Sequence, residues 1–308
     1  CCGSGGMFVQ SEEFVKAHGG RVDDISIYGQ ESNPTTWRLA AMNLAIRGFS
    51  ADLGKEPEDT FARDQFPHVK FDYIMANPPF NISDWGGKKY QSDPRWQFGV
   101  PSPSNANYAW LQHMLWKLRP GGQAGVVLAN GSMSSNQNNE GQIREAMIRG
   151  DVVEVMIIFS GKLFLNTDVP CCIWFLTNDK TANGRDRRGE ILFINAKNCS
   201  SPVEGSRKHK ELKQDQIDLI SSTVQQWRAG KDYEDTLGFC KSATYEEVEK
   251  NAFVLSPGRY VGATSAENDG VQFEETISTL IDDLLELRES SKRLDSKIDG
   301  SLSSVGLK

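Results

Sequence analysis

The chain has 308 residues, 38% of them hydrophobic and 24% charged, with a formal net charge of −7. That length suits one large domain or two small ones. The acidic balance excludes a global basic footprint for nucleic acid, so any such contact is local or shared with a partner; no apolar run is long enough to span a bilayer and no signal peptide is visible.

The chain opens on Cys1-Cys2-Gly3-Ser4-Gly5-Gly6. Met7, Phe8, Val9, Phe14 and Val15 follow at helical spacing. Glycines here permit positive φ and close approach of backbone to a ligand, and the helix start behind them has free N–H groups. A phosphate, a dinucleotide or the amino-acid part of S-adenosylmethionine would all suit; so would a flexible terminus. The pattern is neither GxGxxG nor a P-loop. Such a loop normally follows a strand, so the reading expects a chain that begins after its first strand. Six cysteines, at 1, 2, 171, 172, 199 and 240, form no CxxC pair. No metal is expected, and adjacent pairs rarely bridge, which points to free thiols and a cytoplasmic location.

Residues 24–31 read as a strand ending in Glu31. The acid stands roughly 20 residues after the glycines, the spacing at which a carboxylate holds a ribose hydroxyl in nucleotide-binding α/β folds. A charge near the start of the next helix is the plainer role. Asn33-Pro34 caps that helix; Trp37, Ala40, Ala41, Leu44 and Ala45 form its buried stripe, and Gly48 ends it. Residues 49–70 are irregular and polar. Asp59-Thr60 lies there, and Asp59 suits either a cofactor's adenine amine or solvent.

Phe71-Asp72-Tyr73-Ile74-Met75-Ala76 reads as a buried strand, and Asn77-Pro78-Pro79-Phe80 ends it. Two prolines remove two donors and fix φ, giving a rigid loop at a strand's carboxyl end. In open α/β sheets ligands bind there. The Asn77 oxygen and the Pro78 carbonyl are two acceptors, and Phe80 is a ring. Together they suit a planar primary amine; a simple proline turn is the alternative.

Residues 81–104 form a long insertion with Lys88, Lys89, Tyr90, Arg95 and Trp96. Basic and aromatic residues interleave, which suits a DNA-facing lid or a mobile surface loop. Tyr108 to Leu118 reads as a helix ended by Pro120-Gly121-Gly122, with His113 packed or at the surface rather than catalytic. Strands are predicted over 123–129, 152–159, 171–177 and 190–194, with a helix over 138–149. The alternation indicates a mostly parallel α/β sheet. Helices are expected over 211–228 and 245–250, and residues 255–261 as a short extended piece. From Phe273 the apolar positions 273, 277, 280, 284, 287, 294 and 298 keep heptad spacing, a seam that needs a partner.

Cys1-Cys2-Gly3-Ser4-Gly5-Gly6-Met7-Phe8, Gly29-Gln30-Glu31, Asp59-Thr60, Asn77-Pro78-Pro79-Phe80, Asn107-Tyr108-Ala109 and Leu255-Ser256-Pro257-Gly258-Arg259-Tyr260-Val261, in this order, resemble the modification subunit of type I restriction–modification systems. That family makes N6-methyladenine in DNA. The resemblance implies a Rossmann-like S-adenosylmethionine-dependent methyltransferase sheet with helices on both faces and a C-terminal helical extension. It implies that Gly3, Ser4, Gly5 and Gly6 line the methionine part of S-adenosylmethionine, that Glu31 holds the ribose, and that Asp59 with Thr60 serves the adenine region. Asn77 and Pro78 would then accept the target N6 amine, with Pro79 keeping the loop rigid and Phe80 stacking on the flipped adenine. The family's Asp-Pro before the glycines and its amino-terminal helical domain have no counterpart here.

The organisation expected is a catalytic domain over 1–200, a helical extension over 201–265 and a partner helix over 266–308. The resemblance implies double-stranded DNA, a specificity subunit reached through the helix at 273–298, a restriction subunit, and two copies in the methyltransferase complex. The alternative substrates are another planar amine, a protein glutamine or an RNA base; a non-catalytic scaffold is the third reading.

Overall fold

The structure, a computed structural model, describes residues 1–263 except 22–23, 166 and 206–208, together with 281, 284–285, 288–289 and 291–295. Cys1–Gly262 forms one compact unit and Ala263–Lys308 a second. The segment 201–262 therefore belongs to the same unit as the strands before it.

The first unit begins with helix α1 (Gly6–Ala17), strand β1 (Ile27–Tyr28), helix α2 (Pro34–Ile46) and strand β2 (Ala51–Asp52). Asn33 caps α2: its Oδ1 accepts from the N–H groups of Thr35 and Thr36, satisfying two of the helix's orphan donors. Ala40 and Leu44 are buried, Ala41 half-buried, but Ala45, expected in the stripe, is exposed. Strands β3 (Phe71–Ala76) and β4 (Leu118–Ala129) flank helix α3 (Asn107–Lys117). Pro120-Gly121-Gly122 does not separate helix from strand as predicted. The strand already starts at Leu118 and runs through it, with Gly121 at φ 73° and the ladder to β3 shifting register between Phe71 and Tyr73.

Helix α4 (Glu140–Arg149), strands β5 (Val153–Phe159), β6 (Cys171–Thr177) and β7 (Glu190–Ala196) follow. The short ladder of β8 (Ser201–Pro202) and β9 (Lys210–Glu211), helix α5 (Gln214–Ala229), strand β10 (Cys240–Thr244) and helix α6 (Tyr245–Lys250) complete the unit. Residues 255–261 are not extended as expected: Pro257–Arg259 is a 3-10 turn. There Tyr260 stacks on Phe193, ring centroids 3.8 Å apart, and the Leu255 N–H donates to the Met133 carbonyl at 2.9 Å.

Six strands form one sheet in the order β10-β7-β5-β6-β4-β3. The predicted mostly parallel pairing gives way to a mixed sheet. β3–β4 and β5–β7 are parallel, whereas β6 is antiparallel to both its neighbours and β10 to β7. β1 and β2 pair in parallel, apart from that sheet. Alternate residues of the central strands feed two cores. Met156, Trp174 and Phe193 face one, with Tyr108 of α3, Met147 of α4 and Val248 of α6. Val155, Leu192 and Ile194 face the other, with Ile220, Val224 and Trp227 of α5. Helices thus cover both faces, as period-2 alternation of buried residues on a doubly covered sheet requires.

In the second unit residues 281, 284–285, 288–289 and 291–295 are helical, and Ile281, Leu284, Leu285 and Leu294 are exposed. The remaining predicted seam positions 273, 277, 280, 287 and 298 lie outside the described residues. No helix among the described residues is long and apolar enough to cross a membrane.

Candidate active site

Cys2, Gly3 and Gly5 shape the turn into α1. Gly3 (φ 60°) and Gly5 (φ 78°) occupy the left-handed region, which glycine enters without steric cost. The turn is tied to the segment that follows β1. The Cys2 N–H donates to the Gln30 carbonyl at 3.0 Å, and the Gly3 N–H donates to Glu31 Oε2 at 3.0 Å. The other oxygen of Glu31 accepts from the Asn33 N–H, also at 3.0 Å. Ser4 is exposed, and its carbonyl accepts from Asn43 Nδ2 of α2. A Cβ placed on Gly3 or Gly6 would meet no atom within 4 Å. Open space beside two glycines, with a fixed carboxylate behind them, fits the methionine and ribose parts of S-adenosylmethionine.

The loop holding Asp59 and Thr60 joins the same place. The Glu58 N–H donates to the Glu31 carbonyl at 3.0 Å. Gln30 reaches further into this loop: its Nε2 donates to the carbonyls of Glu58 (3.2 Å) and Arg63 (2.7 Å), and its Oε1 accepts from the Gln65 N–H at 3.1 Å. Asp59 Oδ1 accepts from the Phe61 N–H at 2.9 Å. Thr60 is buried. Three of the sequence-predicted cofactor segments are therefore linked in series: Gly3 to Glu31, Glu31 to Glu58, and Glu58 to Asp59. Gln30, given no role by the sequence reading, carries the most cross-links.

Asn77 and Pro79 are exposed, Pro78 is buried and Phe80 half-buried. The loop leaves the carboxyl end of β3, whose last pair is Ala76 with Val126 of β4. Phe80 lies edge-on to Phe164, centroids 6.1 Å apart. Phe164 comes from the connection between β5 and β6, and the sequence reading missed it. An aromatic residue in a short link at a strand's carboxyl end was the available signal.

The insertion 81–104 is a packed element. Trp85 and Trp96 are buried with Phe61 and Trp110. Arg95 and Trp96, expected to face DNA, turn inward. Arg95 is 9% exposed and Trp96 8%. The Arg95 guanidinium donates to Asp93, to the carbonyls of Thr60 (3.0 Å) and Phe61 (2.8 Å), and faces His113 Nδ1 at 3.2 Å. A buried guanidinium must spend its donors inside the protein, so neither residue is open to a phosphate backbone. Tyr90 is half-buried against Trp85. Lys88 and Lys89, on the 3-10 turn Gly87–Lys89, remain exposed. Burial would raise the Asp93 carboxyl, but hydrogen bonds from Arg95 outweigh it and hold it below the usual range. His113 is buried as a packed residue; burial first, and then the Arg95 charge, push it down to about 3. It is neutral at ordinary pH.

A family model described as N-6 DNA Methylase matches residues 1–269. The chain is 48% identical over 304 residues to the type I restriction enzyme HindI methylase subunit of Haemophilus influenzae, covering 99% of this chain and 67% of that protein. It is 38% identical over 313 residues to the MjaIX methylase subunit of Methanocaldococcus jannaschii, covering 99% and 54%. A crystal structure of the type I restriction-modification system methyltransferase subunit from Streptococcus thermophilus superposes with a TM-score of 0.71 at 25% identity, covering 84% of this chain and 53% of that one. The chain thus spans between half and two thirds of the length of these relatives.

Proposed function

The chain belongs to the N-6 DNA methylase family, among the methylase subunits of type I restriction enzymes, and from that premise we propose that within its complex it transfers a methyl group from S-adenosyl-L-methionine to N6 of adenine in double-stranded DNA. One observation carries the reading: the Asn77-Pro78-Pro79-Phe80 loop stands at the carboxyl end of a parallel strand in a chain whose glycine turn is pinned by Glu31. S-adenosylmethionine supplies an electrophilic methyl on sulfur. Gly3, Ser4, Gly5 and Gly6 would border its methionine part, Glu31 its ribose, and Asp59 with Thr60 its adenine region.

Adenine must leave the stack to reach such a loop, at a cost of a few kcal/mol. Its N6 lone pair is delocalised into the ring and is a weak nucleophile. Asn77 Oδ1 and the Pro78 carbonyl would accept the two amine hydrogens. That favours a more sp3-like nitrogen aimed at the methyl group, which is catalysis by orientation and local electrostatics. Pro79 keeps the loop stiff, and Phe80 offers a ring to the extruded base. No prior deprotonation is required, because the methylated ammonium loses its proton readily.

Lys88, Lys89 and Tyr90 are the remaining DNA-contact candidates on the insertion. The complex would add a specificity subunit on the helix at 273–298, a restriction subunit and a second copy of this chain, in the cytoplasm. The Rossmann-like methyltransferase description of the sheet belongs to the same reading. The test is adenine methylation of duplex DNA by the full-length chain with its specificity partner, compared with Asn77→Ala. The variant is expected to bind S-adenosylmethionine and to transfer no methyl; methylation retained by the variant overturns the assignment, and transfer to protein or RNA in place of DNA overturns the substrate.

A further inference from the structure

The Pro-Pro loop has an anchoring problem that its own backbone cannot solve. Pro78 and Pro79 have no N–H, so the first donors after Asn77 belong to Phe80 and Asn81. On the near side the loop is held by the ladder of β3 on β4, which ends at Ala76. On the far side the hold centres on Asn107, with Asn105 Nδ2 adding a longer contact to Asn81 Oδ1 at 3.5 Å. Asn107, the first residue of α3, is 2% exposed. Its Nδ2 donates to Asn81 Oδ1 at 2.8 Å, and its Oδ1 accepts from the Asn81 N–H at 3.2 Å. Asn81 itself sits in the left-handed region at φ 54°, which asparagine tolerates better than most residues. Next to it the Ile82 carbonyl accepts from the Ala106 N–H at 3.0 Å. The neighbouring Tyr108 hydroxyl donates to the Ser132 carbonyl at 2.7 Å, so the start of α3 also holds the segment that follows β4.

We propose that Asn107 is a positioning residue for methyl transfer: its planar amide reads the backbone N–H and the side-chain oxygen of Asn81 together, and so fixes where Asn77 and the Pro78 carbonyl present their acceptors. The inference rests on the function proposed above. With φ fixed at Pro78 and Pro79, few torsions separate Asn81 from Asn77, so a displacement at Asn81 is passed on to the acceptors rather than absorbed. The cofactor segments hang on Gln30, Glu31 and Arg95 instead. Loss of Asn107 therefore acts on the transfer step and spares cofactor binding. The amide of Asn107 supplies one acceptor and one donor in a single plane, matching the donor and acceptor that Asn81 presents.

The experiment uses the full-length chain with its specificity partner. Asn107→Ala is expected to lower kcat by about ten- to a hundredfold, the scale of a sub-ångström to ångström misplacement, with S-adenosylmethionine affinity unchanged. Asn107→Asp keeps an acceptor for the Asn81 N–H, and a flipped Asn81 amide can donate to it, so this variant recovers much of the loss. Asn81→Gly, which accepts the left-handed backbone, combined with Asn107→Ala is expected to be no worse than Asn107→Ala alone, because residues acting through one contact are not additive. Hydrogen exchange at the Asn81 amide, faster in Asn107→Ala and slowed again in Asn107→Asp, reads the anchor without any catalysis. A normal kcat in Asn107→Ala, additive losses in the double variant, or unchanged exchange at Asn81 overturns the proposal. If Asn107→Ala does not fold, Asn81→Gly replaces it: it tolerates the left-handed backbone, keeps the N–H that Asn107 Oδ1 accepts, removes the Oδ1 contacts to Asn107 and Asn105, and must still lower kcat. A wild-type complex that methylates no adenine sinks the proposed function instead, and the exchange measurement then still decides the anchor.

Discussion

Arg95 donates to the carbonyl of Thr60 at 3.0 Å across 35 residues of chain. That contact, with its companion to Phe61, makes the insertion 81–104 and the Asp59 loop one mechanical unit. A segment with the composition of a nucleic-acid lid is thereby a brace for the loop proposed to meet the cofactor's adenine.

Replacing Arg95 by Ala strands the Asp93 carboxylate and two inward carbonyls. Asp93 is half-buried, and losing a hydrogen bond to a charged group costs about 1.5–3 kcal/mol. Arg95→Ala should lower the thermal unfolding midpoint by several degrees and weaken S-adenosylmethionine binding through the loosened Asp59 loop. Calorimetry of both quantities checks it; a stable variant with native cofactor affinity would mean the brace is idle.

Glu31→Gln tests the carboxylate behind the glycines. Both oxygens of Glu31 accept backbone N–H groups, from Gly3 and Asn33. Glutamine offers one acceptor and turns an NH2 toward the other donor. Losing a hydrogen bond to a charged acceptor costs about 1.5–3 kcal/mol. S-adenosylmethionine affinity should fall about tenfold or more, measured by titration calorimetry, whereas Gly3 and Glu31 would be uncoupled from cofactor binding if affinity held.

Much of this site was legible in the residues, and the reason is local. A proline pair after an apolar strand, glycines before a helix, and Asn33-Pro34 at a helix start are short-range signals, and the structure uses each where it stands, although the strand expected to be buried is the sheet's edge, with Tyr73 and Met75 exposed. Strand direction is not a local signal. Nothing in Cys171-Cys172-Ile173-Trp174 says that β6 runs against β4 and β5. The link did: only residues 160–170 separate β5 from β6, and among them the described ones form no helix, whereas a parallel crossover needs a dozen or more residues, usually helical. Arg95 and Trp96 misled for a related reason. Basic-aromatic composition is the same on a DNA face and in a core clasp. The acid two positions before Arg95, which claims its guanidinium, was the clue to the second. β10 was missed because Cys-Lys-Ser-Ala-Thr carries no strand pattern and is formed by pairing with β7.

His113 sets a pH dependence. Its folded-state pKa is depressed to about 3, by burial and then by Arg95, against about 6.5 in an unfolded chain. Above pH 6.5 the ring is neutral in both states and contributes no slope. As pH falls from 6.5 toward 3 the unfolded chain takes up a proton that the folded chain refuses, so stability drops by about 1.4 kcal/mol per pH unit from this group. His113→Gln keeps an acceptor for Arg95 and removes the titration. Urea unfolding at pH 7 and pH 5 should show a shallower loss in the variant; equal losses in the two proteins would place the ring outside this account.

Lys88 and Lys89 carry what is left of the DNA-facing reading on the insertion. Both are exposed at the end of the turn Gly87–Lys89, while Arg95 in the same segment has its donors occupied. A lysine that neutralises one phosphate contributes about 0.9 to the slope of log affinity against log salt. Lys88→Ala with Lys89→Ala should reduce that slope by up to about 1.8 if each contacts one phosphate. Binding should weaken to a similar degree on specific and unrelated duplexes, because phosphate contacts carry no sequence information. Cofactor affinity should not move, since neither lysine touches the Asp59 loop through a described hydrogen bond. A salt slope unchanged in the double variant would leave the insertion as a brace alone, with Arg95 its working residue and DNA held by other parts of the complex.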